Sequence, residues 1–297
     1  MRALFRPLSP FQRLEELATR GACLLDPPAR DEIHAFLLAR QQPDGGFRGP
    51  AGTSDLYYTL FALGALRALE VEEAGAEPYL ASFGHGAELD LVHLSSLAVC
   101  RGALSKPAPD RAWTQACLAQ LERFRQPDGG FSVDEKESGG TPYGGYLALL
   151  AAGALGVRLP QRRKAIAASE RCRATDGGYA GHPDATQGTL PGTVAALVLR
   201  ASSWRLPPKQ TTSWFQNCQR DGGFAAAPDI PLPDLLSTAT TLAANRLLRM
   251  GLSFDKTKTA ELVESCWDES GGFGALQDTT PDCEYTFYAL LALGALA

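Results

Sequence analysis

Three short segments concentrate the reactive side chains of this sequence. Asp282-Cys283-Glu284 sets two carboxylates and a thiol side by side, Asp90-Leu91-Val92-His93 sets a carboxylate three residues from an imidazole, and Asp55 precedes Tyr57 and Tyr58. On a helix, Asp90 and His93 share one face, where they can pass a proton or hold a metal together. Asp282, Cys283 and Glu284 carry oxygen and sulfur donors that zinc accepts, with His93 as a donor from elsewhere in the chain. The catalytic candidates are therefore Asp282, Cys283, Glu284, Asp55, Asp90 and His93, and the metal candidates are Asp282, Cys283, Glu284 and His93. Tyr57, Tyr58, Tyr143, Tyr146, Tyr285 and Tyr288 form an aromatic population beside them, suited to walling an apolar pocket and to meeting a cation with their ring faces. A plainer reading stands next to each: the aspartates as helix caps, His93 as a hydrogen-bonded lining residue, Cys283 and the tyrosines as packing.

These residues share a position in a repeat. A Gly-Gly-aromatic turn recurs with its first glycine at 45, 129, 177, 222 and 271, so the separations are 84, 48, 45 and 49. The first interval is nearly doubled and conceals a degenerate unit in which FGHGAE, 83 to 88, replaces the turn. Before each turn runs an outer amphipathic helix; after it comes a loop and then a long helix rich in Ala, Leu and Gly. Such an all-round apolar helix must be covered by neighbours on most of its circumference. One helix pair cannot bury its own face, and the pattern predicts an all-α fold of six pairs closed as an alpha-6/alpha-6 barrel. Residues 1–28 read as an N-terminal extension with a short amphipathic helix broken off at Pro27 and Pro28, and 29–297 as a single barrel domain. In that ring the six inner-helix N-termini gather at one rim, where free amides and helix dipoles would favour an anion.

The formal net charge of −5 and scattered basic residues argue against a nucleic-acid partner. The sequence has no apolar run of membrane-spanning length and no secretory apolar core near its start. Seven cysteines without a close CxxC pair fit a reducing, cytoplasmic setting, and Cys172, Cys218 and Cys266 recur just before their glycine pairs as packing residues. The repeated Asp-Gly-Gly is a structural turn and not a phosphate cradle, because no GxxxxGK follows a strand.

The QPDGGF turns at 42–47 and 126–131, with the helices that follow them, resemble the repeats of protein prenyltransferase beta subunits and of squalene or oxidosqualene cyclases over about residues 30–297. The resemblance implies an α/α barrel with a deep apolar cavity for isoprenoid chains. In the transferases it implies an isoprenoid diphosphate beside zinc, with an Asp, a Cys two residues on and the His of a D-x-Y-H-T segment as ligands, and a helical partner subunit. Asp282 falls on that Asp and Tyr285 on a diphosphate-contacting tyrosine. Glu284 stands where the Cys is expected, Cys283 is displaced by one, Tyr58 replaces the His, and Leu276 and Thr279 stand where basic residues are usual. In the cyclases the acid lies in a DxDD-like or DCTAE-like segment; neither occurs intact here, and Asp282-Cys283 resembles only the start of the latter. The expected function is a prenyltransferase-like enzyme handling an isoprenoid or isoprenoid diphosphate with zinc or magnesium. The alternatives are a non-catalytic isoprenoid or lipid binder, a beta-subunit-like scaffold and a terpenoid cyclase-like enzyme.

Overall fold

The first glycine of each pair takes a left-handed backbone, with φ of 92° at Gly45, 84° at Gly129, 101° at Gly177, 80° at Gly222 and 89° at Gly271. A side chain there would be strained. The second glycine is required by crowding: a Cβ on Gly272 would lie 2.1 Å from the Phe36 ring. The computed structural model that shows this describes residues 9–71, 75–105, 107–134 and 137–297. Each turn is closed by a small antiparallel bridge, Gln41 to Phe47, Arg125 to Phe131, Arg173 to Tyr179 and Trp267 to Phe273. In one unit the bridge becomes a two-stranded ribbon, β1 (Gln219–Arg220) and β2 (Gly223–Phe224). Asp44, Asp128 and Asp176 accept from the amide of the second glycine at 2.8–2.9 Å. Asp221 departs from this pattern and pairs with Lys258 at 2.7 Å.

The turn's aromatic residue goes inward and is tied to the helix that follows. Its amide donates to a threonine hydroxyl of that helix: Phe47 to Thr59 (2.9 Å), Tyr179 to Thr193 (2.9 Å), Phe224 to Thr238 (3.0 Å) and Phe273 to Thr286 (3.2 Å). The outer helices are α2 (Pro27–Leu38), α4 (Glu77–Ser82), α6 (Arg111–Leu121), α8 (Arg162–Arg171), α10 (Lys209–Cys218) and α12 (Lys256–Ser265). They alternate with the inner helices α3 (Leu56–Ala68), α5 (Leu91–Val99), α7 (Pro142–Ala154), α9 (Leu190–Ala201), α11 (Leu235–Leu248) and α13 (Cys283–Leu296). Pro27 and Pro28 open α2 behind an Asp26 cap and do not interrupt the chain, as prolines of a first turn need no amide donor. The degenerate unit keeps left-handed glycines at Gly84 and Gly86, and its outer helix α4 is reduced to six residues. Cys172, Cys218 and Cys266 are buried, and each described cysteine is a free thiol.

Inner helices pack in the order α3, α5, α7, α9, α11, α13 and back to α3, which closes the ring. The helix before the ring, α1 (Pro10–Ala22), does not lie outside it. It packs on α13, α3 and α11, and also on α7, which stands opposite α13 in the ring. Only an axial position reaches both. Phe11 stacks on Phe287 with ring centroids 6.1 Å apart, and Pro10 abuts Gly153. A Cβ on Gly294 would lie 1.7 Å from the Leu17 carbonyl oxygen, and one on Gly21 would lie 1.9 Å from that of Leu290. Glu15 pairs with Arg67 at 2.8 Å, and that arginine also donates to the carbonyls of Ala103 and Leu104. Apart from the Phe11–Phe287 stack, these contacts lie in the lower halves of the inner helices, so α1 floors the barrel and the polar rim is its open end. No helix among the described residues is long and apolar enough to cross a membrane.

Candidate active site

Every inner helix begins with a side-chain cap at the rim. Asp55, Asp90, Asp234 and Asp282 accept from amides of the first turn, and Thr141 and Thr189 do the same with their hydroxyls. The expected ring of free amides for an anion is therefore filled from within, and four of its six caps are carboxyl groups. This lowers the appeal of the rim for an anion: its caps are acceptors, four of them carboxyl groups.

Two groupings of side chains stand above these caps. In the first, Asp282 accepts from the Tyr285 amide at 2.9 Å and the next two residues diverge. Successive helical positions are rotated by about 100°. Cys283 is fully buried, turned towards the turn that carries Arg40 and Arg48, and burial pushes its thiol up to about 12. Glu284, 7% exposed, faces the interior, where Tyr57 of α3 donates its hydroxyl to Oε1 at 2.5 Å. Burial raises the Glu284 carboxyl to about 7; the Tyr57 hydrogen bond works against the shift and the Asp282 charge adds to it.

Rings from three helices surround this carboxyl. Tyr57 meets Phe61 edge-on at 4.9 Å, and Phe61 lies 5.4 Å from Tyr288. Tyr143, Tyr285 and Tyr58 are each pushed up to about 12, chiefly by burial and then by carboxylates that include Glu284. Tyr146 and Tyr288 are desolvated in the same way, yet both keep accessible surface. A residue enclosed by protein atoms that still has surface lines an internal space. Tyrosines of α3, α7 and α13 thus wall one concavity, with Glu284 set in it and Phe11 closing it below through Phe287 and Phe61.

The second grouping is His93. Its Nδ1 lies 2.8 Å from Asp90 Oδ2 and its Nε2 lies 3.3 Å from Asp55 Oδ2. The hydrogen bonds its ring makes to Asp55 and Asp90 outweigh desolvation and raise the imidazole to about 9. The same bond holds the Asp55 carboxyl below its ordinary range. At neutral pH this is an imidazolium between two carboxylates. Asp55 joins the groupings, since its Oδ1 caps the amides of Tyr57 and Tyr58 while its Oδ2 faces the imidazole.

The expected metal set of Asp282, Cys283, Glu284 and His93 is not brought together. Cys283 points to the outer turn, Glu284 to Tyr57, Asp282 to its own helix amide, and His93 to Asp90 and Asp55. Among the described residues no three His, Cys, Asp or Glu side chains are grouped to hold an ion. Tyr58, which stands at the position of the family histidine, contributes no imidazole.

Comparison with known proteins settles the lineage. Residues 15–225 and 139–297 match the prenyltransferase alpha-alpha toroid domain. The chain belongs to this family. Among solved structures, it is similar to a type II terpene cyclase from Scytonema in complex with its substrate, geranylgeranyl dihydroxybenzoate. That match has a TM-score of 0.57 and 15% identity over 97% of this chain and 98% of that one. The same cyclase with its product, merosterolic acid A, gives a TM-score of 0.55 at 15% identity over 97% and 98%. A protein from Actinoplanes gives a TM-score of 0.55 at 16% identity over 91% and 98%. A search of curated protein sequences gives no match. At these identities the structural likenesses speak for the toroid fold.

The inward segregation of Glu284 from Cys283 and the axial place of α1 are the two site features that sequence reasoning missed. The spacing of Phe11, Leu14, Leu17, Ala18 and Gly21 along α1 is the signal for the second, because it ends in a glycine where a surface helix needs none.

Proposed function

We propose that this protein is an isoprenoid-handling enzyme that starts its reaction by protonating a carbon–carbon double bond, as a terpenoid cyclase-like enzyme would, with Glu284 as the acid. The observation that carries the reading is a buried carboxyl group, raised to about 7, inside an aromatic-walled concavity with a hydroxyl as its partner and, among the described residues, no cation beside it. The protonated carboxyl is present where it is needed near neutral pH, which suits a general acid. The proton adds to the less substituted CH carbon of the terminal trisubstituted alkene, whose π pair forms the new C–H bond and leaves a tertiary cation. That cation is attacked by the next double bond to close a ring, and loss of a proton ends the sequence. Faces of Tyr57, Phe61, Tyr143, Tyr146 and Tyr288 offer cation–π stabilisation to the intermediates. The same fold carries a geranylgeranyl substrate in the Scytonema cyclase, which supports a polyprenyl chain as the substrate class.

Prenyl transfer receives less support from the geometry. A diphosphate leaving group needs donors and cations at the rim, whereas Asp55, Asp90, Asp234 and Asp282 line it and the metal donors diverge.

The test is incubation of the purified protein in D2O with geranylgeraniol and, separately, geranylgeranyl dihydroxybenzoate. The expected product is cyclic with deuterium on the former CH carbon of the terminal alkene, and Glu284→Gln lowers its rate by roughly a hundredfold or more. Bound but unchanged polyene in the wild-type protein would reduce the function to binding alone.

A further inference from the structure

The end of the barrel opposite the rim carries a second concentration of charge, of the other sign. Arg13, Glu16 and Arg20 lie on one face of α1, and Arg246 and Arg249 lie at the end of α11 and in its cap. The two helices pack against each other, and these five side chains with Leu17 and Leu247 line a cleft of about 260 Å³. All four arginines are exposed, and among the described residues none of their guanidinium groups has a hydrogen-bond or ion-pair partner. Some other arginines are paired: Arg67 holds Glu15, Arg171 holds Asp128 and Arg220 holds the carbonyls of Pro228 and Ile230, whereas single exposed arginines such as Arg163 stand alone, away from any cleft. One carboxylate, Glu16, accompanies four cations around the cleft. Converging guanidinium groups repel one another unless an anion lies between them, and their forked donors match the oxygens of a phosphate.

We infer that the cleft between α1 and α11 is a binding site for a phosphate-bearing ligand, held by Arg13, Arg20, Arg246 and Arg249. It lies at the closed end of the barrel, apart from Glu284, and does not depend on what reaction occurs there. A ligand that bridges the two helices also fastens the floor to the ring, so occupancy raises the melting temperature. Two sources share this chemistry, a free phosphate compound and a phospholipid headgroup. Exposed Trp204 and Leu206, 95% and 80% accessible in the connection after α9, lie at the same end and make the lipid worth a direct arm of the test.

Calorimetric titration with inorganic pyrophosphate covers the first source. Co-sedimentation with phosphatidylglycerol vesicles, against phosphatidylcholine vesicles, covers the second. Saturable binding in either arm is expected, weakening as salt rises, with a loss of about tenfold or more for Arg20→Gln or Arg246→Gln. Arg163→Gln, an exposed arginine of α8 outside the cleft, leaves it unchanged. Because the substituted side chains are exposed and unpaired, circular dichroism and the unliganded melting temperature are expected to stay at wild-type values. Pyrophosphate binding assigns the site to a free ligand, and binding confined to the anionic vesicles assigns it to a headgroup. No binding in either arm, or an equal loss with Arg163→Gln, overturns the inference.

Discussion

Glu284 and the Asp55–His93–Asp90 set stand at neighbouring helix heads, and their carboxyl groups behave in opposite ways. Glu284 is enclosed by rings, receives one neutral hydrogen bond and is raised to about 7. Asp55 is half-buried, faces an imidazolium and is lowered. Residue type does not separate them; burial and the partner do. Burial holds the Glu284 proton against the pull of the Tyr57 hydroxyl, whereas the His93 hydrogen bond outweighs the burial of Asp55 and takes its proton away. The barrel thereby keeps a neutral acid next to an ionised, structural ion pair, and only the first has a proton to spend on a substrate.

The sharpest way to break this contrast is to titrate it. The folded Glu284 carboxyl lies above its ordinary 4.5, so its contribution to stability is full below about pH 4.5 and is lost as pH rises through about 7. Wild-type protein should lose about 3 kcal/mol from this group between those limits, and Glu284→Gln should flatten the profile along with its roughly hundredfold or larger loss of rate. Urea unfolding at pH 5 and pH 8 measures it; equal pH dependence in the two proteins would mean that Glu284 is ionised throughout. Activity, which needs the protonated form, should fall across the same upper limit.

His93→Asn is the matching change at the other grouping. The folded imidazole is raised to about 9, so its contribution is full below about 6.5 and disappears as pH rises through about 9. Roughly a third of its side chain is exposed, and solvent screening leaves an expected loss of about 1 kcal/mol or less at pH 6. Asp55 and Asp90 would then face each other without a cation, and the deficit should vanish above pH 9. Its persistence there in thermal melts would assign the loss to packing. Smallest of all is Tyr57→Phe, which deletes the one interaction that lowers Glu284. The alkaline limb of the pH–rate profile should move upward by less than one unit, and a downward move would show that Tyr57 does not act on this carboxyl.

Much of the toroid was written locally. Gly45, Gly129, Gly177, Gly222 and Gly271 are legible because a positive φ leaves few alternatives, and the aspartates at helix starts are legible because orphan amides need acceptors. The aromatic wall was legible as a population, since Tyr57, Tyr143, Tyr146 and Tyr288 recur near helix heads. What could not be read was direction and meeting. Cys283 and Glu284 are adjacent in the chain and face different sides of α13, and Tyr57 meets Glu284 only because α3 and α13 are neighbours in the closed ring. A metal set assembled by residue type overlooked that rotation. The amphipathic pattern of α1 likewise announced a buried face without naming what buries it.

The contact between Gly21 and Gly294 has a consequence for how the molecule is made. Residues of the first helix find their seat on the last one, so during synthesis α1 emerges long before its partner exists. The α13 side of the face that holds Phe11 and Leu17 has no cover until translation has passed α13, so ring closure and the completion of the floor are both late, long-range events. Substitution of either glycine should therefore act on the yield of assembled protein in the cell, leaving earlier helix pairs free to form and exposing them to chaperones and proteases.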